Sequence, residues 1–118
     1  MTQQTLTVPL DPIPTGVTVL RVVGELDHHT APRLSEALAA VPLGPDGGLV
    51  IDLTGLSYCD STGISVLVVA FQNSQAAGSP FGLAGLNHEL TRIFQIAGLD
   101  KVLPFHPTVE AAVGVQRS

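Results

Sequence analysis

The apolar residues of this chain fall in runs of two kinds. LVIDL, 49–53, is continuous, the pattern of a strand covered on both faces. GISVLVVAF, 63–71, instead puts Ile64, Leu67, Val68 and Phe71 at helical spacing. Val66, Val69 and Ala70 lie off that stripe, so this helix is apolar nearly all round. Such a helix is either deeply buried or partly covered by a partner. It opens after Asp60 and is ended by Gly78 and Pro80.

The same reading extends along the chain. TLTVPL, 5–10, predicts a short strand with Pro9 at an edge or an end, and DPIPTG, 11–16, a turn. VTVLRVVGEL, 17–26, is rich in β-branched residues and predicts one strand, bent near Gly24. TAPRLSEALAAV, 30–41, predicts a helix with Leu34, Ala37, Leu38 and Val41 on one face. Thr30 is its expected N-cap, and Pro32 is tolerated in the first turn. A loop follows at 42–48, then LVIDL. Further on come a strand at 81–86, a helix at 87–98, a short strand at 101–105 and a last helix at 108–115. The third helix has Asn87 as N-cap, Gly98 after its end, and Leu90, Ile93, Phe94 and Ala97 on one face. Strands alternating with helices predict an α/β domain with a largely parallel sheet.

Composition narrows the function classes. A length of 118 residues suits one domain, and 45% hydrophobic residues supply one core. No apolar run is long enough to span a bilayer, because Asp52, Ser57, Asp60 and Ser65 interrupt the candidates. The start, MTQQTLTV, has neither the basic nor the apolar part of a signal peptide. The single cysteine, Cys59, allows no internal disulfide, which fits a reducing compartment and predicts a cytoplasmic protein. Five Lys and Arg stand against ten Asp and Glu, so the basic footprint of a nucleic-acid binder is missing. Four Phe and one Tyr offer little base-stacking surface. Charged residues are only 13%, which fits either a protein-binding face or simply a small domain rich in Ala, Gly and Pro.

The junction YCDSTGIS, 58–65, lies between the two central runs and is expected at the C-terminal end of a central strand, where it opens a helix. That edge of an open α/β sheet favours effector sites. Ser61 there has three readings. Asp60 or Ser61 caps the helix by accepting from the next backbone amides. Alternatively Ser61 is a nucleophile, but the G-x-S-x-G elbow is absent, and none of His28, His29, His88 and His106 is marked as its base. Or Ser61 is phosphorylated. The added charge of about −1.5 to −2 would be tolerated by the helix N-terminus and would repel a docked partner. A nucleotide cradle lacks its G-x-x-x-x-G-K-[ST] motif, and receiver-type phosphorylation of Asp52 or Asp60 lacks a partner lysine, since Lys101 is the only one.

Three blocks together carry a family likeness: GELDHHTAPRL, 24–34; VIDLTGLSYCDSTGISVLV, 50–68; and LTRIFQIAGLDKVLPFHPTVEAAV, 90–113. In this order they resemble the STAS domain of anti-sigma factor antagonists, also called anti-anti-sigma factors. The resemblance covers nearly the whole chain. It implies a single STAS-like domain over 1–118, core roughly 5–115, with a central, mixed but mostly parallel sheet packed by about four helices.

It further implies a non-catalytic regulator whose partner is an anti-sigma factor that is also a serine kinase. That kinase would phosphorylate the first hydroxyl of D-S-[ST]-G, here Ser61, between Asp60 and Thr62–Gly63. Unphosphorylated chain would bind the kinase and free a sigma factor, and a serine phosphatase would reset it. ATP and Mg²⁺ would belong to the kinase, leaving this chain no cofactor and no metal of its own. Asp27 matches the loop aspartate that contacts the partner, and is also a turn residue before the first helix. The expected docking surface is Asp27, Thr30, Asp60, Ser61, Thr62, Gly63, Ile64, Val66 and Val69, with Gly63 allowing close approach of the partner backbone. The rival implication is a constitutive STAS subunit of a phospholipid-transport or stress-signalling complex, with Ser61 only a helix cap.

His28 and His29 are expected to face solvent rather than bind metal. Asp52 is expected to accept from nearby amides. Cys59 departs from the family, where a bulkier apolar residue is common. It reads as a small buried hydrophobe or, alternatively, a redox neighbour of Ser61.

Overall fold

A computed structural model describes residues 6–7, 10–12 and 16–117. Five strands form one sheet in the order β2–β3–β5–β7–β8: Leu10–Pro12, Val17–Arg21, Gly48–Asp52, Phe81–Ala84 and Phe105–His106. β2 runs antiparallel to β3, and the other neighbours are parallel. A second, three-stranded sheet has the order β1–β4–β6: Leu6–Thr7, Val23–Leu26 and Leu56–Cys59. β4 pairs antiparallel with β1 and parallel with β6. Four helices complete the fold: α1 Ala31–Ala39, α2 Ser61–Ala76, α3 His88–Ile96 and α4 Val109–Arg117. The mixed, mostly parallel sheet and its helices agree with the predicted class.

Helices cover both faces of the larger sheet, which explains the unbroken LVID of β5. Leu20, Leu49, Ile51 and Leu83 join a main core with Leu34 of α1, Leu67 and Ala70 of α2 and Leu90 and Phe94 of α3. Val17, Val19, Val50 and Ala84 face the other way, onto Ala112 of α4. Each fully buried aliphatic side chain contributes about 1.5–3 kcal/mol.

Several boundaries differ from the sequence pattern. The strand expected over 17–26 divides at Val22, whose N–H donates to the Asp52 carbonyl (2.9 Å). Its first half belongs to the large sheet and its second half to the small one. Gly24, with φ 113°, supplies the bend, and the β4–β6 register shifts there. The predicted strand 5–10 is two short strands in different sheets, and β2 extends into the predicted turn. Residues 5, 8–9 and 13–15 of those two segments, Pro9 included, lie outside the described residues. Residues 101–105 do not form the expected strand. A 3₁₀ turn occupies Leu99–Lys101, and pairing begins at Phe105.

The helices follow their signals with three exceptions, the first being that α2 buries Gly63, Leu67, Ala70 and Ser74, whereas Ile64, Val68 and Phe71 of the expected stripe are only partly buried. Asn87 caps α3 by accepting the Leu90 N–H (2.8 Å), and Gly98, at φ 76°, ends it. Of the four residues on the predicted α3 stripe, however, only Leu90 and Phe94 are buried. Thr30 precedes α1 but gives it no side-chain cap. Its hydroxyl turns back, donating to the Glu25 carbonyl (2.8 Å) and accepting the Asp27 N–H (2.9 Å).

Candidate functional site

The junction carrying Ser61 follows β6, an edge strand of the small sheet, rather than the central strand β5. β6 was not legible in the sequence. Only Leu56 and Cys59 of its four residues are buried, while Ser57 and Tyr58 face outward. The β4–β6 pairing continues one step further, as Asp60 N–H donates to the Leu26 carbonyl (3.1 Å). Asp60 is still extended, and α2 begins at Ser61.

Asp60 has two structural jobs. Its Oδ1 accepts the Gly63 N–H (2.9 Å), which caps α2. Its Oδ2 accepts the His28 N–H (3.2 Å) and lies 3.8 Å from His28 Nδ1. The carboxylate therefore ties the loop before α1 to the start of α2. A cap of this kind contributes about 1 kcal/mol. Because Asp60 supplies it, the cap does not draw on the Ser61 hydroxyl. Ser61 and Thr62 are exposed in the first turn of a 16-residue helix, at the positive end of its dipole. One turn on, Ser65 Oγ donates to the Ser61 carbonyl (2.9 Å).

Three residues expected on the docking surface face inward. Gly63 is buried; a Cβ there would lie 2.6 Å from Leu26 Cγ and 3.0 Å from Cys59 Sγ. Its missing side chain lets α2 rest on the chain's own strands, which corrects the expectation of an approaching partner backbone. Thr30 is 3% exposed, its hydroxyl committed to the turn. Asp27 is also 3% exposed. Its Oδ1 accepts the N–H groups of His29 (2.9 Å) and Thr30 (3.1 Å), the turn role anticipated for it. Its Oδ2 is buried without a hydrogen-bond partner among the described residues. Burial by itself would raise this carboxyl, but the donors from Thr30 and His29 outweigh it and hold it below the usual aspartate value.

The other expected positions do reach the surface. Ser61 and Thr62 are exposed, Val69 is 50% exposed, and Asp60, Ile64 and Val66 are half-buried. Sequence reasoning missed Glu25 and Tyr58, which with Asp27, His28 and Asp60 bound a hollow of about 250 Å³ beside Ser61. No periodic signal marked Tyr58, because Ser57 and Tyr58 are exposed in succession on β6.

Other candidates resolve simply. Cys59 is buried, and its thiol is pushed up to about 12 by burial and then by the neighbouring Asp60 charge. It is therefore a packing residue and a poor source of thiolate. Asp52 accepts the Thr54 N–H (2.9 Å), as expected of it. His28 and His29 are exposed, with ring centroids 4.0 Å apart. Among the described residues, no three His, Cys, Asp or Glu are placed to hold a metal ion, and no helix is long and apolar enough to cross a membrane. The imidazole brought nearest the junction, His28, is directed at Asp60.

Comparison with known proteins agrees with this architecture. The model of the STAS domain family matches residues 9–112. The chain is 43% identical over 82 residues to the anti-sigma-B factor antagonist of Listeria monocytogenes, covering 70% of this chain and 72% of that one. It is 37% identical over 95 residues to the anti-sigma-B factor antagonist of Bacillus subtilis, covering 80% and 85%. The crystal structure of an anti-sigma factor antagonist from Mycobacterium paratuberculosis superposes with a TM-score of 0.85 at 31% identity, covering 97% and 96%. Matched in sequence across most of its length and in structure across nearly all of it, the chain belongs to the STAS domain family.

Proposed function

We propose that this protein is an anti-sigma factor antagonist that works by partner switching in the cytoplasm. Unphosphorylated, it binds an anti-sigma factor that is also a serine kinase, and the sigma factor is released. The kinase then transfers a phosphoryl group from its own ATP and Mg²⁺ to Ser61, binding is lost, and a phosphatase restores the starting state. The chain itself is non-catalytic. Its relatives' names support antagonism.

The observation that carries the reading is Ser61 itself, exposed at the start of α2 and relieved of capping by Asp60. A phosphate there meets the helix dipole, so the fold tolerates it. A partner resting on Ser61, Thr62 and Val69 meets a new dianion beside the Asp60 carboxylate, so the interface does not. The cap function that would explain Ser61 in a constitutive subunit is already performed by its neighbour. Asp27 would act through the turn it holds, and its unpaired Oδ2 would accept from a partner donor only if the loop opened.

The test uses wild type, Ser61→Ala and Ser61→Asp as baits in lysate of the source cells. The retained kinase is then purified for affinity measurement and for mapping the phosphorylated residue. Wild type and Ser61→Ala should bind equally, Ser61→Asp at least tenfold more weakly, and phosphate should appear at Ser61. Equal binding by all three sinks the switch.

A further inference from the structure

A groove of about 490 Å³ runs between α1 and α2. Its apolar walls come from Leu38 and Ala39 of α1, Leu43 of the following loop, and Val66, Val69 and Ala70 of α2. Neither a charged nor an aromatic side chain lines it. The volume lies in the lower half of the range of small-molecule sites, about 300–1,000 Å³. Its mouth is mixed, with exposed Val69 and Leu43 beside exposed Ser35, Thr62, Ser65 and Asn73.

Five polar side chains also line the groove, Ser35, Thr62, Ser65, Asn73 and Ser74, and only Ser74 is buried. Ser74 is fully buried, and its Oγ has no hydrogen-bond partner among the described residues. A buried hydroxyl left unpaired is destabilising, and polar groups so placed normally have a partner. A hydroxyl both donates and accepts, so it is matched by another hydroxyl. A charged head group would instead be desolvated with no counter-charge. Aliphatic walls without an aromatic ring favour a flexible hydrocarbon over a flat ring.

We infer that the groove binds a neutral, single-chain aliphatic molecule with a terminal hydroxyl, its chain along Leu38, Val66 and Val69 and its head bonded to Ser74 Oγ. Ser74 is fully buried, so the head group reaches it as the wall side chains change rotamer, a common adjustment on binding. The groove shares Thr62, Val66 and Val69 with the surface proposed for the partner, but the inference does not rest on phosphorylation of Ser61.

The test is an NMR titration of the isotope-labelled full chain with 1-octanol, with sodium octanoate as the charged counterpart. Saturable shifts on α1 and α2 are expected, with cross-relaxation from octanol methylenes to the methyls of Leu38, Val66 and Val69. Octanoate should bind at least tenfold more weakly. Ser74→Ala should keep the fold and weaken octanol by about three- to tenfold, the loss of one hydrogen bond. Val69→Asp, a charge at the exposed rim, should abolish the contacts. Non-saturating shifts, contacts elsewhere, equal binding of octanoate or an unaffected Ser74→Ala would each overturn the assignment. So would groove shifts produced by a bound protein partner but not by 1-octanol, which would give the groove to that partner.

Discussion

Replacing Gly63 by alanine sets two effects of known size against each other. Alanine is the better helix former, by at most about 1 kcal/mol. Against this, the new Cβ would sit 2.6 Å from Leu26 Cγ, 3.0 Å from Leu26 Cδ2 and 3.0 Å from Cys59 Sγ. Leu26 is fully buried and lies on β4, which is paired on both sides, so it has little room to retreat. Overpacking of this kind costs about 1–3 kcal/mol. The clash therefore outweighs the propensity, and Gly63→Ala should be destabilised by about 1 kcal/mol, read as a lower urea midpoint at unchanged slope. Shortening the obstructing side chain supplies the control. Leu26→Ala, which removes Cγ and both Cδ atoms, should by itself cost about 2–5 kcal/mol. In the Gly63→Ala background it should cost less by at least about 1 kcal/mol, because the clash leaves with the side chain. A Gly63→Ala protein more stable than wild type, or a double-mutant cycle with no coupling, would refute the reasoning that this glycine exists for packing inside the chain.

Asp60→Ala should lose about 1 kcal/mol of stability, whereas Ser61→Ala should stay within about 0.5 kcal/mol of wild type, both read by urea unfolding; the reverse ranking would move the cap to Ser61. Cys59 should resist a thiol reagent at pH 8 in the folded protein and react fully once unfolded, because the buried thiol is held up at about 12; rapid native labelling would count against a packing role. Asp27 has a depressed carboxyl. Its contribution is complete above the ordinary aspartate pKa, about 3.9, and is lost as pH falls below it through the folded value. Asp27→Asn should therefore flatten the acid limb of stability measured from neutral pH downward, and an unchanged limb would dismiss the turn as the cause.

Much of the architecture was readable because local and tertiary signals agreed. LVIDL is apolar on both faces and is covered on both, by the main core and by α4. Asn87 and Gly98 mark α3 by cap chemistry that depends only on near neighbours. The pattern failed where a choice depended on distant residues. Nothing local says that the chain leaves one sheet for another at Val22, since β-branched Val22 and Val23 run straight across the step; it is held by the carbonyl of Asp52. The stretch Leu56–Cys59 is too short and half-exposed to announce a strand, and it forms against β4. At the site, the motif located Ser61 and its cap. Asp27 and Thr30 turn inward through a local hydrogen-bonded turn, which the sequence did suggest for Asp27, whereas Gly63 is buried by packing against β4 and β6, which no spacing rule encodes.

The inward commitment of Thr30 and Gly63 bears on how circuits of this type stay insulated from one another. Those residues answer first to folding: one closes a turn and the other admits a helix onto a sheet. They are poorly free to vary, so they are a poor place to write an address. On the proposed partner-switching reading, the freedom to discriminate one cognate partner from another would lie instead with the exposed neighbours, His28, Tyr58, Ser65 and Val69. Rewiring such a protein toward a different partner should therefore begin at those four positions, with the D-S-T-G segment left untouched.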